Sequence, residues 1–274
     1  MDTSGPHGRA DLHIHTVASD GTADVLAVLD HVVARGGLDV IAITDHERID
    51  AAVAGRAIAR DRGLPIEVIV GEEVTTLGGH LLALFIERPI RPYRSLRATI
   101  ADIHDAGGIA IPAHPLVPYP LCAQGWVLRR LLDDPDEAVH PDALETFNPT
   151  ALGRPWHDRV VRFAQRHGLA QVGNSDAHAL EAIGVGWTTF PGRTAADLRA
   201  AVAAGTTRHG GSFHGTAGQV GVFGRQLRKR AVDARDEVRG RILRDGTGRD
   251  HGYPGGRARP PRFEGPAGHD EVGR

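Results

Sequence analysis

The chain has 274 residues, 41% hydrophobic content and a formal net charge of −2, which allows one sizeable core and excludes binding of duplex nucleic acid by bulk positive charge. The single cysteine, Cys122, excludes an intramolecular disulfide and a metal site built from paired thiolates. No apolar run approaches a membrane span and the first residues lack a basic stretch followed by a hydrophobic one, so we expect a cytoplasmic protein that does not enter a membrane.

Strand-like runs alternate with helical ones, an order typical of an α/β protein with a parallel sheet. The predicted strands are 10–14, 38–44, 66–70, 80–86, 108–112, 143–147, 169–172 and 187–190. The predicted helices are 23–34, 49–62, 93–106, 126–132, 155–167 and 195–204. Thr22 and Thr194 are predicted to cap the first and last helix, and Gly36-Gly37 to end the first. A turn is predicted at Gly78-Gly79, and one domain of about seven βα units results.

The composition changes after the last predicted helix. Residues 226–243 are rich in Arg and Asp, and residues 245–274 consist largely of Gly, Pro, Arg and Asp. Such a tail cannot bury enough apolar surface to offset the entropy of ordering it. We therefore predict a disordered N-terminus (1–9), a catalytic barrel (10–211), a partly helical extension (212–244) and a disordered tail (245–274).

Histidines and carboxylates stand at the ends of the predicted strands. The clusters are Asp11-Leu12-His13-Ile14-His15, Asp45-His46, Glu72-Glu73, His114, Asn148 and Asn174-Ser175-Asp176-Ala177-His178. Because parallel strands of a barrel open their carboxyl ends on one face, these side chains should converge there. Imidazole nitrogens and carboxylate oxygens are ligands of zinc, manganese and iron. The sequence therefore predicts a polynuclear metal site.

The same segments resemble the motifs of the polymerase and histidinol phosphatase (PHP) superfamily. They read D-L-H-I-H-T-V-A-S-D-G at 11–21, I-T-D-H at 43–46, G-E-E-V at 71–74, I-P-A-H-P at 111–115 and G-N-S-D-A-H at 173–178. The resemblance extends from Ala10 to about Gly211. It implies a distorted (βα)7 TIM-like barrel with two or three divalent cations, Mn2+, Zn2+, Fe2+ or Mg2+, in its mouth.

The resemblance also implies a set of metal ligands. The first cation would be held by His13, His15, Glu73 and Asp176. The second would be held by Glu73, as a bridge, with His80 and His114. The third would be held by Asp20, His46 and His178. Glu73 rather than Glu72 matches the ligand position. An ordinary turn for His80 and a helix-cap or turn role for Asp20 remain as alternatives.

Further residues are predicted to act on the substrate. Asp45 would orient a histidine or handle a proton, and His178 or Asp45 would protonate the leaving oxygen, with Asp176 beside them; a surface role is the alternative for Asp45. The predicted substrate-binding residues are Arg48, Asn148 and Arg154, because arginine matches phosphate oxygens in pairs and Asn148 ends a strand at the mouth. Solvated loop charges and a loop cap are the alternatives for these three.

The predicted activity is that of a phosphoesterase in which bound cations activate water for attack on phosphorus. The branch that the motifs resemble includes phosphatases of nucleoside 3',5'-bisphosphates and 5'-3' exonucleases, which implies a small phosphate ester or a short oligonucleotide as substrate. The segment between Glu73 and His114 is too short for the inserted helical domain of those members, which leaves the substrate open. The alternatives are a metallo-hydrolase of a non-phosphate bond and a non-catalytic module that a metal braces.

Overall fold

A computed structural model describes residues 7–150 and 153–213. Within them the strands are β1 (His7–Ile14), β2 (Val40–Ile43), β3 (Glu67–Thr76), β4 (Gly79–Leu84), β5 (Ile109–Pro112), β6 (Ala143–Phe147), β7 (Ala170–Gly173), β8 (Gly186–Pro191) and β9 (Arg208–Gly211). The α-helices are α1 (Val25–Arg35), α2 (Asp50–Asp61), α3 (Leu96–Asp105), α4 (Gly125–Leu132), α5 (His157–Arg166) and α6 (Ala195–Ala203). The predicted tail and nearly all of the predicted C-terminal extension lie outside the described residues.

The first and last strands of the described residues differ from the prediction, since β1 was predicted only in part and β9 was not predicted. β1 starts at His7 and pairs with β8, so residues 7–9 belong to a strand, whereas the sequence predicted them to be disordered. β9 was not predicted, because Arg-His-Gly-Gly carries neither β-branched residues nor an alternating pattern. The other strands and helices predicted within residues 7–150 and 153–213 are present, and the helix predicted within the C-terminal extension lies outside them.

Seven strands form a curled sheet in the order β5-β4-β3-β2-β1-β8-β9, and β6 and β7 form a separate parallel pair. The strands β1, β2 and β3 are parallel, whereas β4 is antiparallel to β3 and β5, and β8 is antiparallel to β1 and β9. The N–H of Asp142, just before β6, donates to the carbonyl of Ala110 in β5 (3.0 Å). The N–H of His15, just after β1, donates to the carbonyl of Ala177, beyond β7 (2.8 Å). These bonds connect the strand pair to β5 on one side and to β1 on the other.

The α/β class is confirmed, but the larger sheet is a half-barrel rather than part of a uniform ring of seven βα units. The reason lies in the turn at Gly78-Gly79, which folds β4 back on β3 as a hairpin. Gly79 has a φ of 126°, a conformation that L side chains rarely adopt.

Two apolar clusters cover the faces of the sheet. On β2, Ile41 and Ile43 pack under the surrounding helices, whereas Val40 and Ala42 belong to a second cluster that α6 closes with Leu198. Burial on both faces explains why the strands appear in the sequence as continuous apolar runs. In the part of the chain that the structure describes, no helix has the length and apolar character needed to cross a membrane.

The helix ends differ from the prediction in one respect that concerns the site. Asp24, not Thr22, caps α1, with its carboxylate accepting from the Ala27 N–H at 2.8 Å. Thr22 instead donates its hydroxyl to the His178 carbonyl at 2.9 Å. Thr194 caps α6 as predicted, in a reciprocal capping box with Asp197.

Candidate metal centre

Glu73, buried on β3, lies at the centre of a cluster of imidazoles at the carboxyl end of the sheet. The rings that approach its carboxylate are those of His13, His15, His46, His80 and His114. Each comes from a different strand end, except His13 and His15, which share β1 and the residue after it. The structure therefore brings together residues that are far apart in the sequence, as predicted.

The two oxygens of Glu73 face different rings. Oε2 lies 3.2 Å from Nε2 of His13 and 3.2 Å from Nε2 of His15. Oε1 lies 2.8 Å from Nδ1 of His80 and 3.2 Å from Nε2 of His114. One carboxylate can thus contribute to two neighbouring cation positions.

Asp176 and Asp20 complete the acidic part of the cluster. Asp176 Oδ1 lies 3.5 Å from Nε2 of His13 and 3.5 Å from Nε2 of His15. Asp20 Oδ1 lies 3.2 Å from Nε2 of His178, 3.6 Å from Nδ1 of His15 and 3.8 Å from Nε2 of His46. The nine predicted ligands therefore lie together: each of the six histidines is within 4 Å of one of the three carboxylates.

These distances fit a shared cation. Ligand atoms that bind one ion at 2.0–2.2 Å lie roughly 3 Å apart. The Nε2 atoms of His13 and His15 and Nδ1 of His80 are buried and have no hydrogen-bond partner among the residues that the structure describes, which is costly unless another group is bound there. The donor set of imidazoles and carboxylates suits Zn2+, Mn2+ or Fe2+.

The grouping of donors differs in detail from the predicted one. Within residues 7–150 and 153–213, three groups have donor atoms within 4.8 Å of one another: His15 with Asp20, His46 and His178; His13 with His15 and Asp176; and His46 with Glu73 and His80. His15 and His46 each face two groups, whereas the prediction assigned each to one cation. His114 reaches Glu73 but lies outside these tightest groups.

The backbone at two of these residues is strained. His114 has a φ of 33° and Asp176 a φ of 51°, in the left-handed region that residues with a Cβ seldom adopt. Such conformations persist only where surrounding contacts hold them, and they concentrate at functional sites. The His114 N–H donates to Glu145 Oε2 at 2.6 Å, which provides one such contact.

Charge in the cluster is balanced between acids and imidazoles. Burial opposes ionisation of Glu73, but the surrounding imidazoles outweigh it and hold its pKa well below the ordinary value. Burial likewise opposes protonation of His13, but three neighbouring carboxylates raise its pKa well above the ordinary value. The pKa of His15 is raised to about 10 in the same way, against its burial. Cations bound here would likewise favour the ionised acids and would exclude protons from the ring nitrogens that bind them.

Two comparisons with known proteins identify the family of this chain. A family model described as PHP-associated matches residues 154–207. The uncharacterized protein MJ1587 of Methanocaldococcus jannaschii is 32% identical over 151 residues, which cover 51% of this chain and 81% of that protein. The chain belongs to the PHP superfamily.

Solved structures share the PHP fold. A two-domain protein of Bacteroides vulgatus, containing a predicted PHP-like metal-dependent phosphoesterase, superposes with a TM-score of 0.62 at 18% identity, over 83% of this chain and 71% of that one. A protein of Bifidobacterium adolescentis assigned as a metal-dependent phosphoesterase gives a TM-score of 0.51 at 18% identity, over 64% of this chain and 89% of that one. At these identities the likeness concerns the fold.

In this PHP chain Glu145 supports His13, a role that the sequence analysis did not assign. Glu145 is buried on β6, and its Oε1 lies 3.1 Å from His13 Nδ1 and accepts from Asn174 Nδ2 at 2.8 Å. A carboxylate at Nδ1 favours the tautomer in which Nε2 is free to bind a metal. The available signal was the position of Glu145 in an apolar run that ends at the same face as the ligands.

Asn148 holds two acids of the cluster in place. Its Nδ2 donates to Glu145 Oε2 at 3.2 Å and to Asp176 Oδ2 at 3.3 Å, and its Oδ1 accepts from the Thr150 N–H. Asn148 also lines a cavity together with His114 and Glu145, so its role in substrate binding stays a prediction.

Asp45 does not join the cluster. Its Oδ1 accepts from the N–H groups of Thr16 and Ser19 and from the Ser19 hydroxyl, and its Oδ2 accepts from the Thr16 hydroxyl at 2.7 Å. With both oxygens engaged, Asp45 braces the loop that carries Asp20. The geometry therefore does not support the predicted proton transfer by Asp45.

The two predicted phosphate-binding arginines lie in different surroundings. Arg48 is paired with Asp50 through Nε (2.6 Å) and Nη2 (2.5 Å), and its Nη1 donates to the Ala18 carbonyl at 2.9 Å. It thus braces the same loop as Asp45 and does not offer its fork to a phosphate. Arg154 is exposed, and its guanidinium carbon lies 5.5 Å from the centre of the Phe213 ring.

Asp11 links the first motif to the last. Buried at 0% exposure, it accepts from the Ser175 N–H (3.0 Å) and hydroxyl (2.5 Å) and from the Gly184 N–H (2.7 Å), and burial raises the pKa of Asp11 to about 6. The pairing of β1 with β2 shifts register between Asp11 and Ile14.

Proposed function

We propose that this chain is a divalent-metal-dependent phosphoesterase that acts on nucleotides or on short 5'-phosphorylated oligonucleotides. The observation that carries the proposal is the position of Glu73, whose two carboxylate oxygens face two separate groups of imidazoles. Membership of the PHP superfamily supports the reaction class, and the nucleotide substrate follows from the motif resemblance alone.

The cations, when bound, would lower the pKa of water and neutralise charge on the phosphoryl oxygens. We assign the first position to His13, His15, Glu73 and Asp176. We assign the second to Glu73, His80 and His114. We assign the third to Asp20, His46 and His178. Glu145 and Asn148 keep the first group oriented, and Asp45 and Arg48 keep the loop of Asp20 in place.

His178 acts as a ligand in this proposal, with Asp176 beside it. Its Nδ1 lies 3.0 Å from the Asp176 carbonyl, to which it donates, and Nε2 is directed to Asp20, so neither ring nitrogen is left to protonate the leaving oxygen and we propose no proton transfer by His178. Arg154 is the one sequence-predicted phosphate ligand whose guanidinium the described contacts leave available, and we keep it in that role.

The proposal is tested by purifying the full chain, supplying Mn2+ or Zn2+, and measuring phosphate release. The substrates are nucleoside 5'-monophosphates, nucleoside 3',5'-bisphosphates, histidinol phosphate and 5'-phosphorylated oligonucleotides of a few residues. We expect turnover of at least one nucleotide substrate, and its loss in the variant that combines His13→Ala with His15→Ala.

Other outcomes reject the proposal in distinct ways. Full metal loading without turnover of any phosphate ester favours the non-catalytic, metal-braced module. Turnover of a cyclic amide but not of a phosphate ester favours the metallo-hydrolase of another bond. Wild-type turnover in the double histidine variant contradicts the assigned first position.

A further inference from the structure

His114 presents its two ring nitrogens to two different partners. Nε2 lies 3.2 Å from Glu73 Oε1, and Nδ1 lies 3.3 Å from the sulfur of Cys122. A metal binds only an unprotonated ring nitrogen, so ligation through Nε2 requires the proton to sit on Nδ1. In that tautomer the N–H is directed at the Cys122 sulfur, a weak acceptor.

Cys122 belongs to residues 116–124, which connect β5 to α4 and are here called the 116–124 loop. The Leu121 carbonyl of this loop accepts from the His80 N–H at 2.8 Å. The loop therefore contacts both histidines that face Glu73 Oε1, one through a main-chain carbonyl and the other through a thiol. His80 Nδ1, which is buried and has no hydrogen-bond partner in the described part of the chain, lies 2.8 Å from that same oxygen.

The approach of the loop to β4 is built into the sequence. A Cβ on Gly79 would lie only 2.4 Å from the Ala123 nitrogen, so only glycine permits this contact. Within the loop, the Leu116 N–H donates to the Ala123 carbonyl at 2.9 Å, and the Gln124 side chain donates to the carbonyls of Val117 (2.8 Å) and Cys122 (2.9 Å). Cys122 is 9% exposed, so its sulfur occupies a fixed and nearly dry position.

We infer that Cys122 is a positioning residue for the second cation: its sulfur fixes the tautomer and orientation of His114, as Glu145 does for His13. The inference rests on the metal centre of the proposed function. It gives a role to the one cysteine of the chain that needs neither a disulfide nor a nucleophile.

The test measures Mn2+ binding to the full chain by equilibrium dialysis, independently of activity. Loss of the outer partner of a ligating histidine typically weakens metal binding 10- to 100-fold, and a weak acceptor belongs at the lower end. We expect Cys122→Ala to weaken one class of bound Mn2+ about 10-fold and to leave the remaining Mn2+ unchanged. Cys122→Ser, which keeps an acceptor, should restore affinity to within about threefold of wild type.

Val117→Ala is the matched control, because it removes buried volume from the same loop without removing a hydrogen-bonding group. It should bind Mn2+ like the wild type. The inference is overturned if Cys122→Ala keeps wild-type affinity for every bound Mn2+, if Cys122→Ser is as weak as Cys122→Ala, or if Val117→Ala weakens binding equally. A wild type that binds Mn2+ but cleaves no phosphate ester defeats the proposed function and leaves this test intact.

Discussion

The two ends of the sheet are built on opposite principles. At the carboxyl end, buried imidazoles and carboxylates crowd around Glu73, and His114 and Asp176 adopt strained backbone conformations. At the amino end, aliphatic side chains fill the space, and polar groups are exposed pairs such as Arg193 with Asp39 or the capping box of Thr194. Charge that would destabilise an interior is tolerated at one end, which indicates that this end binds something that stabilises it.

Glu73→Gln gives the largest effect expected from this comparison. The amide cannot bridge two cations, and metal-ion charge stabilisation is worth several kcal/mol, so kcat/KM for the best phosphate ester should fall about 1,000-fold.

Glu72→Gln is the control for that substitution. Glu72 is the neighbouring buried acid, but its Oε2 accepts from the Ile90 N–H at 2.9 Å and it faces away from the cluster. This variant should keep kcat/KM within about threefold of wild type. Equal losses in the two variants would contradict the special position of Glu73.

Glu145→Gln should produce the next largest effect. The carboxylate accepts hydrogen bonds through both oxygens, and an amide replaces one acceptor with a donor. We expect metal affinity to fall about 10- to 100-fold, measured by competition with a chelating dye. An unchanged affinity, with the fold intact by circular dichroism, would show that His13 needs no such brace.

Alanine substitutions of Arg154 and Arg48 should change KM for a phosphate ester by different amounts. Arg154→Ala should raise KM about 10-fold, the value of a lost charge-assisted hydrogen bond to phosphate, whereas Arg48→Ala should change it by less than about threefold. Steady-state kinetics on one nucleotide substrate compares them directly. The reverse order would restore Arg48 as the phosphate ligand and remove Arg154.

His104, at the amino end, should affect stability and not catalysis. Its Nδ1 lies 2.7 Å from the Ala138 carbonyl and its Nε2 2.8 Å from Asp142, and this pairing raises the pKa of His104. A histidine whose pKa is raised in the folded state stabilises the fold fully at pH values below its unfolded-state pKa of about 6.5. This stabilisation disappears as the pH rises through the folded-state pKa.

His104→Gln should accordingly lower the free energy of unfolding by about 1 kcal/mol at pH 6 and by less at pH 9, because the gain from the raised pKa disappears as the pH rises. The effect is small because solvent screens the partly exposed pair. Urea denaturation at the two pH values measures this. A larger loss at pH 9, or a loss of metal binding, would contradict the separation of the two ends.

The convergence of histidines and carboxylates could be predicted because it follows from strand ends, which apolar runs mark clearly, whereas the bridging position of Glu73 was implied by the family resemblance. His13 and His15 share a face by simple alternation, and the structure places both beside Glu73. The turn at Gly78-Gly79 was also visible, although its consequence, an antiparallel β4, was not.

What the sequence could not supply is the choice of partner among polar side chains. Arg48 pairs with Asp50, two residues away, and Asp45 is saturated by Thr16 and Ser19. Both choices depend on where a loop returns in space, which no periodicity encodes. Glu145 was visible at a strand end, but only coordinates show that it reaches His13.

The central claim is that both oxygens of Glu73 bind divalent cations. Diffraction at the manganese absorption edge from crystals grown with Mn2+ tests it directly. We predict anomalous peaks at about 2.2 Å from Oε1 and from Oε2, one beside His13 and His15 and the other beside His80 and His114. Saturating Mn2+ with no peak near either oxygen would contradict the account.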